Sequence, residues 1–224
     1  MITFNLKNKG RVNQYFGGSA AINPANIYTS LGVVGHTGID TDNGFNSPVP
    51  CDNSGLVYKI FTPDVSSEGY QAVCQIVDDG VDVVEVMYGH LNTLNVFKGQ
   101  YINAGDIVGT QGNKGYVFAG ALQITKAMQA AGDLRGHHLH TQYRPVKKVA
   151  SVSRGKHYLN NINGTRYRDS QNNYYEVLFN DNGYKGCVNP LSYLQNKDTV
   201  RDNQLQQISL LQKVVALLKQ LYNK

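Results

Sequence analysis

The sequence predicts a mainly β protein built from antiparallel sheets. Short alternating or apolar runs recur from residue 1 to about 195, among them "GLVYKIF", "QAVCQIV", "VDVVEVMYGHL" and "YINAGDIVGT". Turn signals separate them, at Asp79-Gly80, Lys98-Gly99, Gly112-Asn113 and Lys114-Gly115. No regular helical pattern interleaves with these runs, so the crossover helices that parallel strands need are missing. The 23 glycines and 15 tyrosines, with no tryptophan, suit turns and strands better than helices.

The elements follow in chain order. "MITFNLK" reads as a short alternating strand carrying Ile2, Phe4 and Leu6. No basic stretch followed by an apolar one stands there, so a secretory signal is not expected. No apolar run approaches the ~20 residues of a membrane span. The strand-rich core is expected over 1–146, with "AGALQITKAMQAAGDLRG" inside it rich in Ala, Leu, Gln and Met. That stretch predicts a short helix ending near Gly132. Residues 147–196 are tyrosine-rich, with turns at Asn163-Gly164 and Asn182-Gly183. They read as a β-hairpin extension closing the domain, and their exposed tyrosines would also suit contact with glycan. From 198 to 224 the apolar positions Ile208, Leu211, Val215, Leu218 and Tyr222 are spaced 3-4-3-4. This is a C-terminal amphipathic α-helix. Its stripe over 201–222 would dock on its own domain or on a partner helix.

Charge and cysteine narrow the function. Of 224 residues, 21 are Lys or Arg and 16 Asp or Glu, for a net +5. A modest positive balance suits an anionic surface such as an acidic cell wall. The basic residues look scattered, with only Lys147-Lys148 adjacent and no stripe interleaved with aromatics. Nucleic acid is therefore not an expected partner. Cys51, Cys74 and Cys187 are odd in number and form no C-x-x-C pair. Three buried thiols are expected, not a disulfide framework or a cysteine zinc site.

The histidines carry the chemistry. "GHHLHTQYRP" holds three of the six. On a strand, His138 and His140 share one face and His137 takes the other. Upstream, "GHTGID" places His36 and Asp40 among glycines that exclude a helix, so the two meet only through an extended or looped backbone. His90 ends the apolar run in "MYGHL". Imidazole and carboxylate are both good zinc ligands, and catalytic zinc takes three protein ligands. His36, Asp40 and one of the His138/His140 pair would supply them. The remaining histidines would stand beside the metal, where hydrolysis needs a base and a group for the developing oxyanion.

"GHTGID", "MYGHL" and "HLH", in this order, resemble the lysostaphin/LytM type of zinc endopeptidase, the M23 peptidase family. "SPVPCDNSGLVYKI" and "FKGQYINAGDIVGTQGNKG" resemble the family's spacers between these motifs. The resemblance covers about residues 11–144. It implies antiparallel sheets forming a groove, one Zn2+ per chain, and the ligands His36, Asp40 and His140. It makes His90 and His138 the catalytic pair and leaves open which is the general base. Tyr28, upstream of His36, resembles a tyrosine that family members place near the oxyanion or substrate. His137 is expected to be a non-ligand. The sequence departs from the family between Gly115 and His137, where an insertion (116–136) would lie beside the groove and bear on specificity.

The implied function is zinc-dependent hydrolysis of peptide bonds, stem or cross-bridge, in bacterial peptidoglycan. "RVNQYFG" and "NPLSYL" resemble the opening and closing segments of phage-encoded members. The implied setting is then a phage enzyme, an endolysin or part of a virion tail, acting on the wall from outside the cytoplasm. The expected partners are peptidoglycan and, through the 201–222 helix, a phage structural protein or a second copy. The competing reading is a catalytically inactive wall-binding or assembly module on the same fold. The ligand set discriminates the two, and here all five positions are filled.

Overall fold

The computed structural model describes residues 1–18, 27–64 and 69–194. The helix expected over 198–224 lies outside the described residues. The strands, in chain order, are β1 (Arg11–Gln14), β2 (Ile39–Asp42), β3 (Pro48–Pro50), β4 (Gly55–Phe61), β5 (Ala72–Asp78), β6 (Val83–Gly89), β7 (Leu91–Leu94), β8 (Tyr101–Ile102), β9 (Ile107–Gln111), β10 (Val117–Ala119), β11 (Leu122–Ile124), β12 (Leu139–Val149) and β13 (Tyr174–Val177). The large sheet has the order β1-β2-β12-β6-β5-β4-β8, and β13 pairs with β12. A three-stranded sheet, β3-β9-β7, packs nearby, and β10 and β11 form a separate hairpin. All strand pairings are antiparallel. Short turns make this possible. Between β5 and β6 the Asp79 carboxylate accepts the backbone N–H groups of Val81 and Asp82.

β5 shows how the layers are arranged. Six of its seven residues are buried, so it is covered on both faces. Val73 and Val77 enter the main core with Val49, Leu91 and Val108 of the small sheet. Cys74 and Ile76 point the other way, into a second cluster with Tyr58, Val146, Leu159, Tyr167 and Tyr175. The extension thus roofs the second face of the large sheet. Its chain alternates: Leu159, Tyr167 and Tyr175 turn inward, while Asn160, Arg166 and Arg168 are exposed.

Some expectations hold and others change. Ile2 and Phe4 are buried, as an alternating strand requires. Their backbone makes only a single bridge, Phe4 to Leu194, before a 3-10 turn at Leu6–Asn8. The N–H groups of Thr3 and Asn5 go to the side chains of Asn53 and Asp52, so no strand ladder can form there. The 116–136 stretch opens with a hairpin of β10 and β11, which was not expected. Its helix, α2 (Lys126–Ala130), follows a Thr125 cap and stops before Gly132, whose φ is +90°. The Asn182-Gly183 turn is no hairpin: Asn182 Oδ1 accepts from the N–H groups of Tyr184 and Gly186. The extension's tyrosines are largely buried, with Tyr158, Tyr167 and Tyr175 at 3–8% exposure. β12 runs without a break through position 146. All three cysteines are free and buried. Among the described residues, no helix is long and apolar enough to cross a membrane.

Candidate metal centre

The register of β12 builds the site. His140 lies directly opposite Asp40 of β2 and, on its other side, opposite Gly89 at the end of β6. One residue of the central strand therefore faces a carboxylate across one ladder and the His90 corner across the other. Asp40 enters on β2, four residues after His36, which stands in the loop before that strand. His138 sits just ahead of β12, tied by its N–H to the Gly112 carbonyl at 3.0 Å.

Close approach demands glycine at two points. A Cβ on Gly38 would meet the Thr141 carbonyl oxygen at 2.4 Å and His140 Cε1 at 2.8 Å. On Gly89 it would meet the Tyr70 hydroxyl at 2.1 Å. Both distances are shorter than side chains tolerate. His90 follows with φ +60°, a left-handed conformation that non-glycine residues seldom adopt. That corner turns the chain sharply from β6 into β7.

Three ligand atoms converge. His36 Nε2 lies 3.0 Å from His140 Nδ1 and 3.0 Å from Asp40 Oδ1, and the last two are 2.9 Å apart. The three residues are buried and form one group capable of holding a metal ion. With bonds of 2.0–2.1 Å, a tetrahedral ion has ligand–ligand edges of about 3.3 Å, close to this triangle. In its neutral form His36 is also set up to receive a cation. His36 Nδ1 is 3.1 Å from the Tyr15 carbonyl, which can only accept. In neutral His36 the proton is therefore on Nδ1, and a bare Nε2 lone pair faces a carboxylate oxygen. Two lone-pair atoms at that distance repel unless something positive lies between them. Burial works against the charge on Asp40. His138, His140 and His36 outweigh it and hold the carboxyl well below the usual carboxylate range.

Two more imidazoles flank the triangle. His138 Nε2 stands 3.6 Å from Asp40 Oδ2. The His90 ring lies 4.4 Å from that of His138 and 6.2 Å from that of His140. Each uses Nδ1 on a backbone carbonyl, Lys114 for His90 and Gly136 for His138, both at 2.8 Å. A ring held this way carries its proton on Nδ1 when neutral, and its Nε2 is then the acceptor. Burial pushes the His90 pKa well down, and the neighbouring His138 and His140 add to this. His90 is neutral at neutral pH. Tyr28, on α1 (Ile27–Ser30), has its ring 6.0 Å from His36, and its hydroxyl accepts from Gln14 Nε2 at 2.7 Å. Burial, together with the Asp40 charge, pushes its pKa up to about 12, so the phenol stays protonated.

The structure thus brings together His36, Asp40, His90, His138, His140 and Tyr28. His137 points elsewhere: its Nδ1 lies 3.2 Å from Asp42 Oδ1 and 3.2 Å from Gln111 Nε2. Sequence reasoning missed Gln14, which holds Tyr28, and Tyr70, whose ring packs 5.0 Å from His90. It also missed the three carbonyls that fix the tautomers, since no side chain announces them. The insertion is bound to the same neighbourhood. Asn113 Nδ2 donates to the carbonyls of Asp133 and Arg135, and Gln129 Nε2 donates to that of Gly115. Those bonds fix the path that returns the chain to His138.

A buried His–Asp–His triangle beside two anchored imidazoles, on an antiparallel sheet, is the equipment of a metallopeptidase. A family model described as peptidase family M23 matches residues 34–153, and the chain belongs to that family. Its solved relatives include LytU, 23% identical over 63% of this chain and 78% of the other, with a TM-score of 0.43. The catalytic domain of lysostaphin from Staphylococcus simulans, described as an antimicrobial peptidase, is 24% identical over 66% and 86%, with a TM-score of 0.43. The prophage-encoded M23 protein EnpA of Enterococcus faecalis, as a catalytic-domain mutant, is 22% identical over 60% and 80%, with a TM-score of 0.41. These TM-scores lie below 0.5, and membership rests on the family model. No curated protein matches the chain.

Proposed function

We propose that the chain is a zinc-dependent endopeptidase that hydrolyses stem or cross-bridge peptide bonds of bacterial peptidoglycan. The observation that carries this is the 2.9–3.0 Å triangle of His36, Asp40 and His140, flanked by two imidazoles anchored through Nδ1 on backbone carbonyls. In this reading His36, Asp40 and His140 hold one Zn2+ per chain. Bound there, zinc supplies Lewis acidity, polarising a carbonyl and making water easier to deprotonate. His90 and His138 divide the proton work. One accepts the proton of the attacking water, and the other, once protonated, stabilises charge on the substrate oxygen or passes a proton to the leaving amine. The Lys114 and Gly136 carbonyls keep both rings in the tautomer this requires. Tyr28 donates its phenolic hydrogen to the developing oxyanion, oriented by Gln14. Burial of the site removes competing water, so each of these contacts is stronger than it would be in solvent.

Membership of the peptidase family supports the peptide bond as the target, and the net +5 suits an anionic wall. The proposal places the enzyme in a phage setting, in a virion tail or released at lysis, on the strength of the opening "RVNQYFG" and closing "NPLSYL". The test is digestion of purified walls of several cross-bridge types, followed by mass analysis of the fragments. New amino termini on intact glycan are expected. Walls left uncut by zinc-loaded protein would favour the inactive module instead.

A further inference from the structure

The extension carries most of the chain's net charge. Between 147 and 176 there are six Lys or Arg against two Asp or Glu, a net +4 of the chain's +5. Three basic residues that look scattered along the sequence, Lys156, Arg166 and Arg168, are gathered by the fold. Three short extended pieces pair through the bridges Tyr158 to Glu176, Asn160 to Arg166, and Arg168 to Tyr174. Arg166 and Arg168 are two apart, so they share the outward face, about 6.6–6.8 Å apart along the strand. Tyr167 between them points inward and is buried.

Each arginine lies over a tyrosine. The Arg166 guanidinium is 5.4 Å from the Tyr158 ring centre, and that of Arg168 is 4.9 Å from Tyr174. Together with Lys156 these four side chains line one open groove. Lys156 is paired with Glu176 at 3.1 Å. Among the described residues, neither Arg166 nor Arg168 is in an ion pair. A guanidinium held over an aromatic face loses little further freedom on binding and can still offer N–H groups to an anion.

We infer that this groove binds a linear phosphodiester polymer of the cell wall, with Arg166 and Arg168 taking successive phosphates. The inference rests on the wall-directed reading above. Phosphate fits because the guanidinium fork meets it with two parallel hydrogen bonds. Single-stranded nucleic acid fits less well. Its sequence-tolerant binding needs free aromatic faces on which bases stack, and here the arginines cover those of Tyr158 and Tyr174. The groove presents charge without a stacking platform. It lies on the roof of the second core, built from residues other than the metal cluster, so it can hold the wall while the peptide is cut.

The test is co-sedimentation of the full chain, carrying His138→Ala to prevent digestion, with walls before and after phosphodiester polymers are stripped by hydrofluoric acid. Soluble poly(glycerol phosphate) and oligothymidylate serve as competitors. Binding to untreated walls is expected to be at least tenfold tighter than to stripped walls. Arg166→Gln with Arg168→Gln should abolish that difference and lower the slope of log affinity against log salt by about 1.4, the value for two phosphate contacts on a single strand. Poly(glycerol phosphate) should compete better than oligothymidylate. Equal binding to stripped walls, unchanged binding by the double variant, or stronger competition by oligothymidylate would each overturn the inference. A circular dichroism melt verifies that the double variant is folded. Cleavage of a soluble peptide by the double variant without His138→Ala should be unchanged, and this arm separates failure of the groove from failure of the peptidase reading.

Discussion

Two polar regions of this protein are built on opposite principles. At the metal cluster, four charged or titratable side chains, His36, Asp40, His90 and His140, are buried to 9% exposure or less. They are held there by strand register and by carbonyls on their far nitrogens. On the extension, Arg166 and Arg168 are exposed, and tyrosine faces alone hold them. Burial raises the cost of every unpaired lone pair, so the first region is suited to a cation at its centre. Exposure makes the second region cheap to build and sensitive to salt. The two proposals, a polymer grip and a peptide cut, make use of both.

The comparison can be broken from either side. The largest effect is expected from His140→Ala, which removes one corner of the triangle. Metal and peptidase activity should disappear together, read by metal analysis and by release of new amino termini. Retention of about one zinc per chain would mean that the triangle is not the ligand set. Tyr167→Ala, which strips the roof of the second core, should cost about 3–5 kcal/mol of stability. Metal content of the folded protein should be unchanged. Its thermal unfolding checks that the extension stabilises the sheet independently of the site, and loss of metal at a temperature where the protein is folded would couple the two regions.

The smallest effect concerns an exposed ion pair. Lys148 Nζ sits 2.7 Å from Asp78 Oδ2, and this contact, with the Gly80 N–H, lowers the Asp78 pKa. Lys148→Ala should cost about 0–1 kcal/mol at neutral pH. A depressed carboxylate pKa stabilises above the unfolded value and loses that contribution as pH falls through the folded one. The Lys148→Ala difference should therefore be present above about pH 4 and fade below it. Denaturant melts at pH 7 and pH 3 measure both ends.

Much of the first region was legible in the sequence, and little of the second. His36, Asp40, His90, His138 and His140 stand in short motifs whose glycines advertise close approach, and alternation alone sets His137 apart from its neighbours. The register that puts His140 across from both Asp40 and Gly89 was not legible, because it depends on pairing with strands far away along the chain. The carbonyls of Tyr15, Lys114 and Gly136 were invisible because every residue has one. In the extension the extended pieces are too short for periodicity to register. Each arginine stacks on a tyrosine from a neighbouring piece, so a scan along the chain sees scattered cations. The N-terminal alternation was read rightly for burial and wrongly for backbone, since Asn53 and Asp52 take the hydrogen bonds a strand would have used.

The most direct measurement is metal content and activity together in His138→Ala. If His36, Asp40 and His140 hold the ion while His138 handles protons, the variant keeps about one zinc per chain and its peptidase rate falls by about 10²–10⁴. Loss of the zinc along with the activity would make His138 a ligand and contradict the division of roles within "HHLH".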